Sequence, residues 1–456
     1  MKKILETLEN AGFEAWAVGG YVRDKILGKN SEDIDIATNA KWQQVKKIFE
    51  DKNYKVIETG TKHGTVTVIK DHKKFEITTY RLDGGYSDSR HPDEVEFVND
   101  IRTDLARRDF TMNAIAWHPE RGYFDPFHGQ LDIKNKTITT VGNPKERFSE
   151  DALRILRACR FSSQLDFRVN EETYLAILKC NKYLKRVSVE RVRDELTKLL
   201  CGKNVKRILM SYKRVMCTCI PELSPLIGFD QKTKYHCYDI YEHTAVTVEN
   251  IPTNKYTKEE TEILKWAALL HDIGKPEKFF TDDSGQGHFY DHPKVSRRMA
   301  KGILKKFNFS KQFIKTTLVL IRWHDHPTQA TKRSVRKMLR RLAEKSNNIE
   351  IDKLFMMLTD LRRADALAHA PEYRDYLKQI KNIEYVMEEV IADKIPITVS
   401  DLKINGDDLI KLGIEPGPKI EDILNKVLNS CINNEVKNNK EDLIKFIQHK
   451  KDLLEV

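Results

Sequence analysis

Gly19-Gly20-Tyr21-Val22-Arg23-Asp24, followed by Glu32-Asp33-Ile34-Asp35-Ile36, decides how this chain is read. The first stretch trails Ala15-Trp16-Ala17-Val18, which reads as a strand, and it opens a helix. Glycines at such a turn let backbone N–H groups approach phosphates closely, and Arg23 can clamp a phosphate oxygen. Alone, a Gly-Gly pair is a plain turn. In the second stretch Ile34 and Ile36 alternate with acids, as on a strand. Residues i and i+2 of a strand point the same way, so Asp33 and Asp35 present two carboxylates on one face. Two adjacent oxygen ligands suit Mg2+, which keeps its other positions for water and substrate phosphates. An isolated pair of this kind is a solvated edge. Coupled to Gly20 and Arg23, it points to a metal–triphosphate site with Asp33 and Asp35 as the catalytic, metal-holding pair.

Working outward, Thr65–Ile69 and Phe75–Thr79 predict a hairpin across Lys70–Lys74. Glu76 then sits on a neighbouring strand, either as a third carboxylate or as a solvated or ion-paired residue. Residues 82–104 are polar and contain glycine, which predicts a mobile loop. In Arg107-Arg108-Asp109-Phe110-Thr111-Met112-Asn113 the Arg pair can bind phosphate. Asp109 and Asn113 can hydrogen-bond sugar hydroxyls, although Asp109 taken singly reads as a helix cap. From Ser149 the pattern is helical nearly to the end. Ala152, Ile155, Leu156 and Cys159 fall at i, i+3, i+4 and i+7 and form a buried stripe. Asp151, Arg154 and Arg157 lie opposite it and are expected to face outward together. Pro221 and Pro225 mark a break, and a last helical unit begins near Thr398. These signals give parts at 1–140, 141–220, 221–380 and 381–456, an α+β chain.

The 456 residues carry a prior of about three domains. With 32% charged residues and a mean hydropathy of −0.56, no apolar run approaches the roughly 20 residues of a bilayer span. Met1–Phe13 alternates acidic and apolar residues rather than forming a leader. The seven scattered cysteines, at 159, 180, 201, 217, 219, 237 and 431, suit a reducing compartment. A cytoplasmic protein with no membrane partner is expected. Net charge is +11, distributed as −1, +9, +7 and −4 over the four parts. Within the third, +12 falls on residues 291–340 and ends in Lys332, Arg333, Arg336, Lys337, Arg340 and Arg341. The second part and this cluster are predicted to bind a polyanion such as a nucleic-acid backbone.

Together GGYVRD, EDIDIAT, RRDFTMNA and EDALRILRACRF resemble class II tRNA nucleotidyltransferases, the CCA-adding enzymes and their bacterial poly(A) polymerase relatives. The resemblance runs through the whole chain. Asp125-Pro126-Phe127 with Gly129 and Asp132 matches the segment linking head to neck, and Glu190–Leu196 a neck-stabilising helix. It implies a polymerase-β-like head with a small mixed sheet, then an all-α neck, HD domain and tRNA-binding tail. It also implies Mg2+ on Asp33 and Asp35, the triphosphate at Gly20 and Arg23, and nucleotide contacts from Arg107, Asp109 and Asn113. The substrates implied are CTP, ATP and tRNA, whose 3′-hydroxyl attacks the α-phosphate and releases pyrophosphate. A shortened loop at 82–104 accompanies CC-only addition in the family, so its length here implies addition of A.

Cytosine and adenine both offer an exocyclic amino donor beside a ring-nitrogen acceptor. A carboxylate accepts from the first and a guanidinium donates to the second. Uracil and guanine present a carbonyl and an N–H there and leave both protein groups unpaired. Asp151 with Arg154 can therefore select C and A without a template, while Arg157 and Arg160 steady the nucleotide.

Further on, His243, His271-Asp272 and Asp365 follow the H…HD…D pattern and resemble HD-superfamily metal phosphohydrolases. Imidazoles and carboxylates suit a divalent transition metal. His292 and His324 are extra ligands or ordinary surface histidines. In members that carry this domain the resemblance implies phosphatase, 2′-nucleotidase or 2′,3′-cyclic phosphodiesterase activity. Three other readings stand beside the CCA-adding one. They are a poly(A) polymerase or partial adder, a phosphohydrolase with a vestigial head, and an RNA-binding protein without turnover. Against the last, paired acids repel a phosphate backbone unless a metal intervenes.

Overall fold

The structure is a computed structural model describing residues 1–31, 33–84, 95–343, 349–393 and 396–450, without the side chains of Thr59 and Asp83. It divides into two compact units, Met1–Pro221 and Glu222–Val456.

The first unit opens with strands β1 (Ala15–Val18), β2 (Ile34–Thr38), β3 (Lys55–Gly60), β4 (Thr65–Lys70) and β5 (Lys73–Thr79). Next come β6 (Arg81–Asp83), β7 (Val95–Phe97), β8 (Ala116–His118) and β9 (Gly122–Phe124). Seven of them make one mixed sheet in the order β3-β4-β5-β2-β1-β8-β9. The predicted hairpin is β4–β5, closed by Asp71 and His72, both at positive φ as a tight two-residue turn requires. Alternation then sorts the faces. Ile34 and Ile36 join Leu5, Leu8, Phe49, Val66 and Ile77 in one core, while Ala37 packs with Trp16, Val18 and Tyr80 on the other side. Asp35 shares that second face, and Asp33 lies exposed just ahead of β2.

Residues 82–104 are not one mobile loop. β6 pairs antiparallel with β7, and a helix at Ile101–Ala106 begins at Asp100, whose carboxylate accepts from the N–H groups of Arg102 and Thr103. Strand pairing and a good cap satisfy the backbone at both ends of a polar segment, which composition does not reveal. Residues 85–94 lie outside the described residues.

Helices Pro144–Glu150, Leu153–Leu165, Glu171–Cys180 and Val189–Leu200 follow, and a two-residue parallel pair joins Thr137–Ile138 to Arg168–Val169. The chain breaks at Asp151, whose Oδ1 accepts from Leu153 N at the start of the second helix. Sequence periodicity had suggested a continuous run over 150–161.

The second unit is a helical array, Ile240–Asn250, Lys258–Leu270, His292–Lys306, Lys311–Trp323, Lys332–Ala343, Ile351–Leu367 and Tyr376–Ala392, with a small hairpin at Phe280–His288. Its C-terminal helices share a core of Leu409, Ile423, Val427, Leu428 and Leu443. The helix Lys332–Ala343 does not offer six free cations. Arg336 is 2% exposed and reaches Asn434 at 2.6 Å and Asp393 at 3.6 Å. Lys332 pairs with Asp393 at 2.9 Å, Arg333 with Asn433 at 3.0 Å, Arg340 with Asn425 at 3.1 Å, and Arg341 with His326. Lys332 and Arg336 thus share one acid, Asp393, whereas the partners named for Arg333, Arg340 and Arg341 are neutral and leave their charge in place. All seven cysteines are free, and no described helix is long and apolar enough to cross a membrane.

Asp125 accepts from the N–H groups of Gly129 and Gln130, and Thr111 donates to Asp132 at 2.6 Å, so the short helix Gly129–Lys134 braces the turn Thr111–Asn113. A Cβ on Gly129 would fall 2.1 Å from the Thr111 carbonyl oxygen. Gly129→Ala should cost about 1–3 kcal/mol, as overpacking typically does. Thermal unfolding checks it, and an unchanged midpoint would refute the close packing.

Candidate active site

One cavity of about 710 Å³ in the first unit gathers every candidate of the first two parts: Gly20, Arg23, Asp33, Asp35, Arg107, Asp109, Asn113, Asp151, Arg154, Arg157 and Arg160. Glu76, Arg108, Phe161 and Arg191 line it as well.

At the acidic end, sheet register does the positioning. β2 and β5 run parallel with Asp35 opposite Glu76, and β1 places Val18 opposite Asp35. Gly19 then turns at φ +72°, and a Cβ there would meet Asp35 Oδ2 and Arg108 Nη1, each at 3.0 Å. Glycine is needed for both the dihedral and the approach. Burial pushes the Asp35 carboxyl up, Arg108 opposes this, and Glu76 and Asp33 push it further up. A half-desolvated oxygen cluster short of positive charge fits a hard divalent cation.

At the basic end, each guanidinium is held by a named partner. Arg157 bonds Asp109 Oδ2 at 2.7 Å, and Asn113 donates to Asp109 Oδ1 at 3.1 Å while accepting from Arg23 at 3.0 Å. Burial works against an ionised Asp109, yet Arg157 and Asn113 hold its carboxyl down at about 2. Asp109 and Asn113 thus bind protein groups where sugar contacts were expected, and they fix Arg23 and Arg157. Arg107 grips the buried Asp104 through Nε at 3.0 Å and Nη2 at 2.8 Å. Arg160 pairs with Glu195 at 2.8 Å. Arg23, Arg157 and Arg160 all lie over the Phe161 ring, at 5.1, 5.5 and 4.2 Å from its centre.

Asp151 and Arg154 do not face outward together. Arg154 is 8% exposed and donates to Glu150 at 2.6 Å and to the carbonyls of Arg147 and Arg107. Asp151 takes Arg191 at 2.8 Å. The kink at Asp151 turns this face into the cavity wall. Sequence reading missed Asp104 although Arg107 and Arg108 stand three and four residues on, and it placed Arg191 and Glu195 only in a neck-stabilising helix, because their partners Asp151 and Arg160 lie far away in the chain. Phe161 was legible, next to Arg160 in a motif already singled out.

The second unit brings together His243, His271, Asp272 and Asp365. His243 Nε2 is 2.8 Å from Asp365 and 3.5 Å from Asp272 Oδ2, and His271 Nε2 is 3.2 Å from Asp272 Oδ2. On the other oxygen, His292 and His324 approach Asp272 Oδ1 at 3.1 and 3.6 Å. Asp272 therefore faces two sets of imidazoles. The Nδ1 atoms of His271, His292 and His324 meet the carbonyls of Ala268, Phe289 and Ile321 at 2.8–2.9 Å. That contact keeps the proton on Nδ1 and leaves Nε2 as a ligand. His271 Nε2 is buried without a hydrogen bond and fits a metal. Lys275 Nζ comes within 2.6 Å of Asp272 Oδ2. His236 and His369, not anticipated, form another close group with His243. The i, i+4 spacing of Asp365 and His369 was the available signal.

The poly(A) polymerase head domain model matches residues 15–139, the RNA and SrmB-binding site of polymerase A 166–224, and tRNA nucleotidyltransferase domain 2 288–447. A CCA-adding enzyme of Ligilactobacillus salivarius is 34% identical over 99% of this chain and 96% of its own length. The chain belongs to the CCA-adding enzymes. Another member, from Enterococcus faecalis, is 31% identical over 97% of this chain and 94% of its own. Among solved structures, the Bacillus stearothermophilus CCA-adding enzyme in complex with CTP superposes with a TM-score of 0.75 at 28% identity, covering 99% of this chain and 97% of that one. The Thermotoga maritima CCA-adding enzyme complexed with tRNA shares the fold, with a TM-score of 0.58 at 22% identity over 98% and 94%. Nucleotidyltransferases of this family use divalent metal ions.

The Asp109 carboxyl, held near 2 against an ordinary 3.8, stabilises the fold above about pH 4 and loses that contribution as pH falls toward 2. The difference corresponds to about 2 kcal/mol. In denaturant titrations between pH 4 and 2 the native protein should lose about that much more stability than Asp109→Asn. Equal losses would contradict the buried ion pair.

Proposed function

We propose that this chain adds C, C and A to the 3′ end of tRNA from CTP and ATP without a nucleic-acid template, in the cytoplasm. The observation that carries this reading is the meeting of Asp33, Asp35 and a bank of fixed arginines in one cavity. The tRNA 3′-oxygen forms a bond to the α-phosphorus, and the bond to the leaving pyrophosphate breaks. Asp33 and Asp35, with Glu76 beside them, would hold Mg2+, and a divalent ion bound there would supply activation of the hydroxyl and charge neutralisation on the phosphate oxygens. The Gly19–Gly20 turn and Arg23 bind the triphosphate, and Arg107 adds a second cationic contact. Asp151 and Arg154, steadied by Arg191 and Glu150, read the base edge. Asp109 and Asn113 act on the nucleotide through Arg157 and Arg23, and Arg160 with Phe161 flanks it. Residues 1–140 serve as the catalytic head, 141–220 as the neck, 221–380 as the HD domain and 381–456 as a tRNA-binding tail.

Incubation with tRNA lacking its 3′ end and labelled CTP and ATP should extend it by CCA. Asp33→Ala with Asp35→Ala should lower the rate at least about 100-fold, as loss of an electrostatic stabiliser does. Long tails from ATP alone would replace this reading with a poly(A) polymerase.

A second activity is favoured by the two imidazole sets on Asp272: phosphoester hydrolysis with a divalent transition metal held by His243, His271, Asp272 and Asp365, and by His292 and His324. Chelation, or His271→Ala with Asp272→Ala, should abolish release of phosphate from nucleotides, while Asp33→Ala with Asp35→Ala leaves it intact. Hydrolysis that persists without these ligands would exclude the site.

A further inference from the structure

The cavity of about 410 Å³ at the histidine cluster opens beside a stack of three rings that hold no metal in the reading above. His288 and Tyr290 line it, and Phe280 joins them from the paired strand of the hairpin. Phe280 and His288 stack at 5.3 Å and 28°, and His288 and Tyr290 at 5.3 Å and 26°. Tyr290 is 69% exposed and Phe280 46%. The stack is fixed from one side, since His288 Nε2 meets Asp282 Oδ2 at 2.7 Å and Asp282 in turn accepts from the N–H groups of Ser284 and Gln286. Stacked rings left open to water beside a cavity are costly unless a flat apolar partner covers them, and a nucleobase is such a partner.

We propose that this hairpin is a nucleobase shelf, so that the histidine cavity takes a nucleotide whose base lies on Tyr290, His288 and Phe280 and whose phosphate points to the histidine–aspartate cluster. This rests on the reading of that cluster as a metal phosphohydrolase. A free nucleotide and the 3′-terminal nucleotide of an RNA offer the same chemistry, a base and a phosphate one sugar apart.

The test uses the full chain loaded with Mn2+ or Ni2+ and compares AMP with ribose 5-phosphate, which differs only in lacking the base. Tyr290→Ala should raise KM for AMP about 10-fold, within the range of one base–aromatic stack. KM for ribose 5-phosphate should move less than twofold, and Tyr290→Phe should restore the AMP value. An effect confined to a short RNA ending in a 3′-phosphate identifies the RNA end as the occupant. Equal changes for AMP and ribose 5-phosphate, with no effect specific to that RNA, overturn the shelf. If nothing is hydrolysed, the hydrolase reading fails and the shelf is judged separately by photo-crosslinking with 8-azido-AMP and peptide mapping. Label on the Phe280–His292 peptide that is lost in Tyr290→Ala upholds the shelf. Label found only elsewhere overturns it.

Discussion

A carboxylate half-buried beside other carboxylates is the constraint around which the first unit is arranged. Asp35 pays a desolvation penalty and faces Glu76 across a parallel strand pair, with Asp33 at the strand entrance. In isolation such a cluster protonates or unfolds its surroundings. Here the neighbouring structure leaves room for positive charge: Gly19 removes a side chain from in front of Asp35 Oδ2, and Arg108 stands at the same gap. The sheet gains nothing in stability from this arrangement. It holds acceptor oxygens together at one end of the cavity.

The arginines pose the converse problem. Several guanidiniums around one cavity repel each other, and long side chains lose entropy when fixed. Each is tied to an acid or carbonyl supplied by a different element: Arg107 to Asp104, Arg157 to Asp109, Arg160 to Glu195, Arg154 to Glu150. These pairs contribute less to net stability than to orientation, because burying both charges costs about as much as their attraction returns. Such preorganisation is what a site for a polyanionic substrate requires. Asp272 solves a related problem in the second unit, where its two oxygens face separate imidazole sets and the backbone carbonyls of Ala268, Phe289 and Ile321 orient the rings.

The strands and turn around Gly19–Asp35, the β4–β5 hairpin and the helical stretches were legible in the residues, because period-2 alternation, glycine placement and apolar i, i+3, i+4 spacing are local properties. The candidate site residues were legible for the same reason: Asp33 with Asp35, and His271 with Asp272, stand out by adjacency, and each pair lines a cavity or cluster in the fold. Segment charge was a weaker guide. The cluster ending at Arg341 counts six cations in sequence, of which Arg336 is buried and shares Asp393 with Lys332.

By itself, then, the sequence determined the α+β class, the acid pair, the glycine turn and the histidine motif. Only the tertiary structure decided which groups each of them meets. It set Glu76 against Asp35 through strand register, and it gave Asp109 to Arg157 and Asp151 to Arg191 across 48 and 40 residues of chain. It also ordered both ends of the polar segment at 82–104 through pairing and a cap. The physical reason is common to all of these. Local periodicity is written residue by residue, whereas the partners of Asp35, Asp109 and Asp151 are fixed by long-range packing, to which no single stretch of sequence refers.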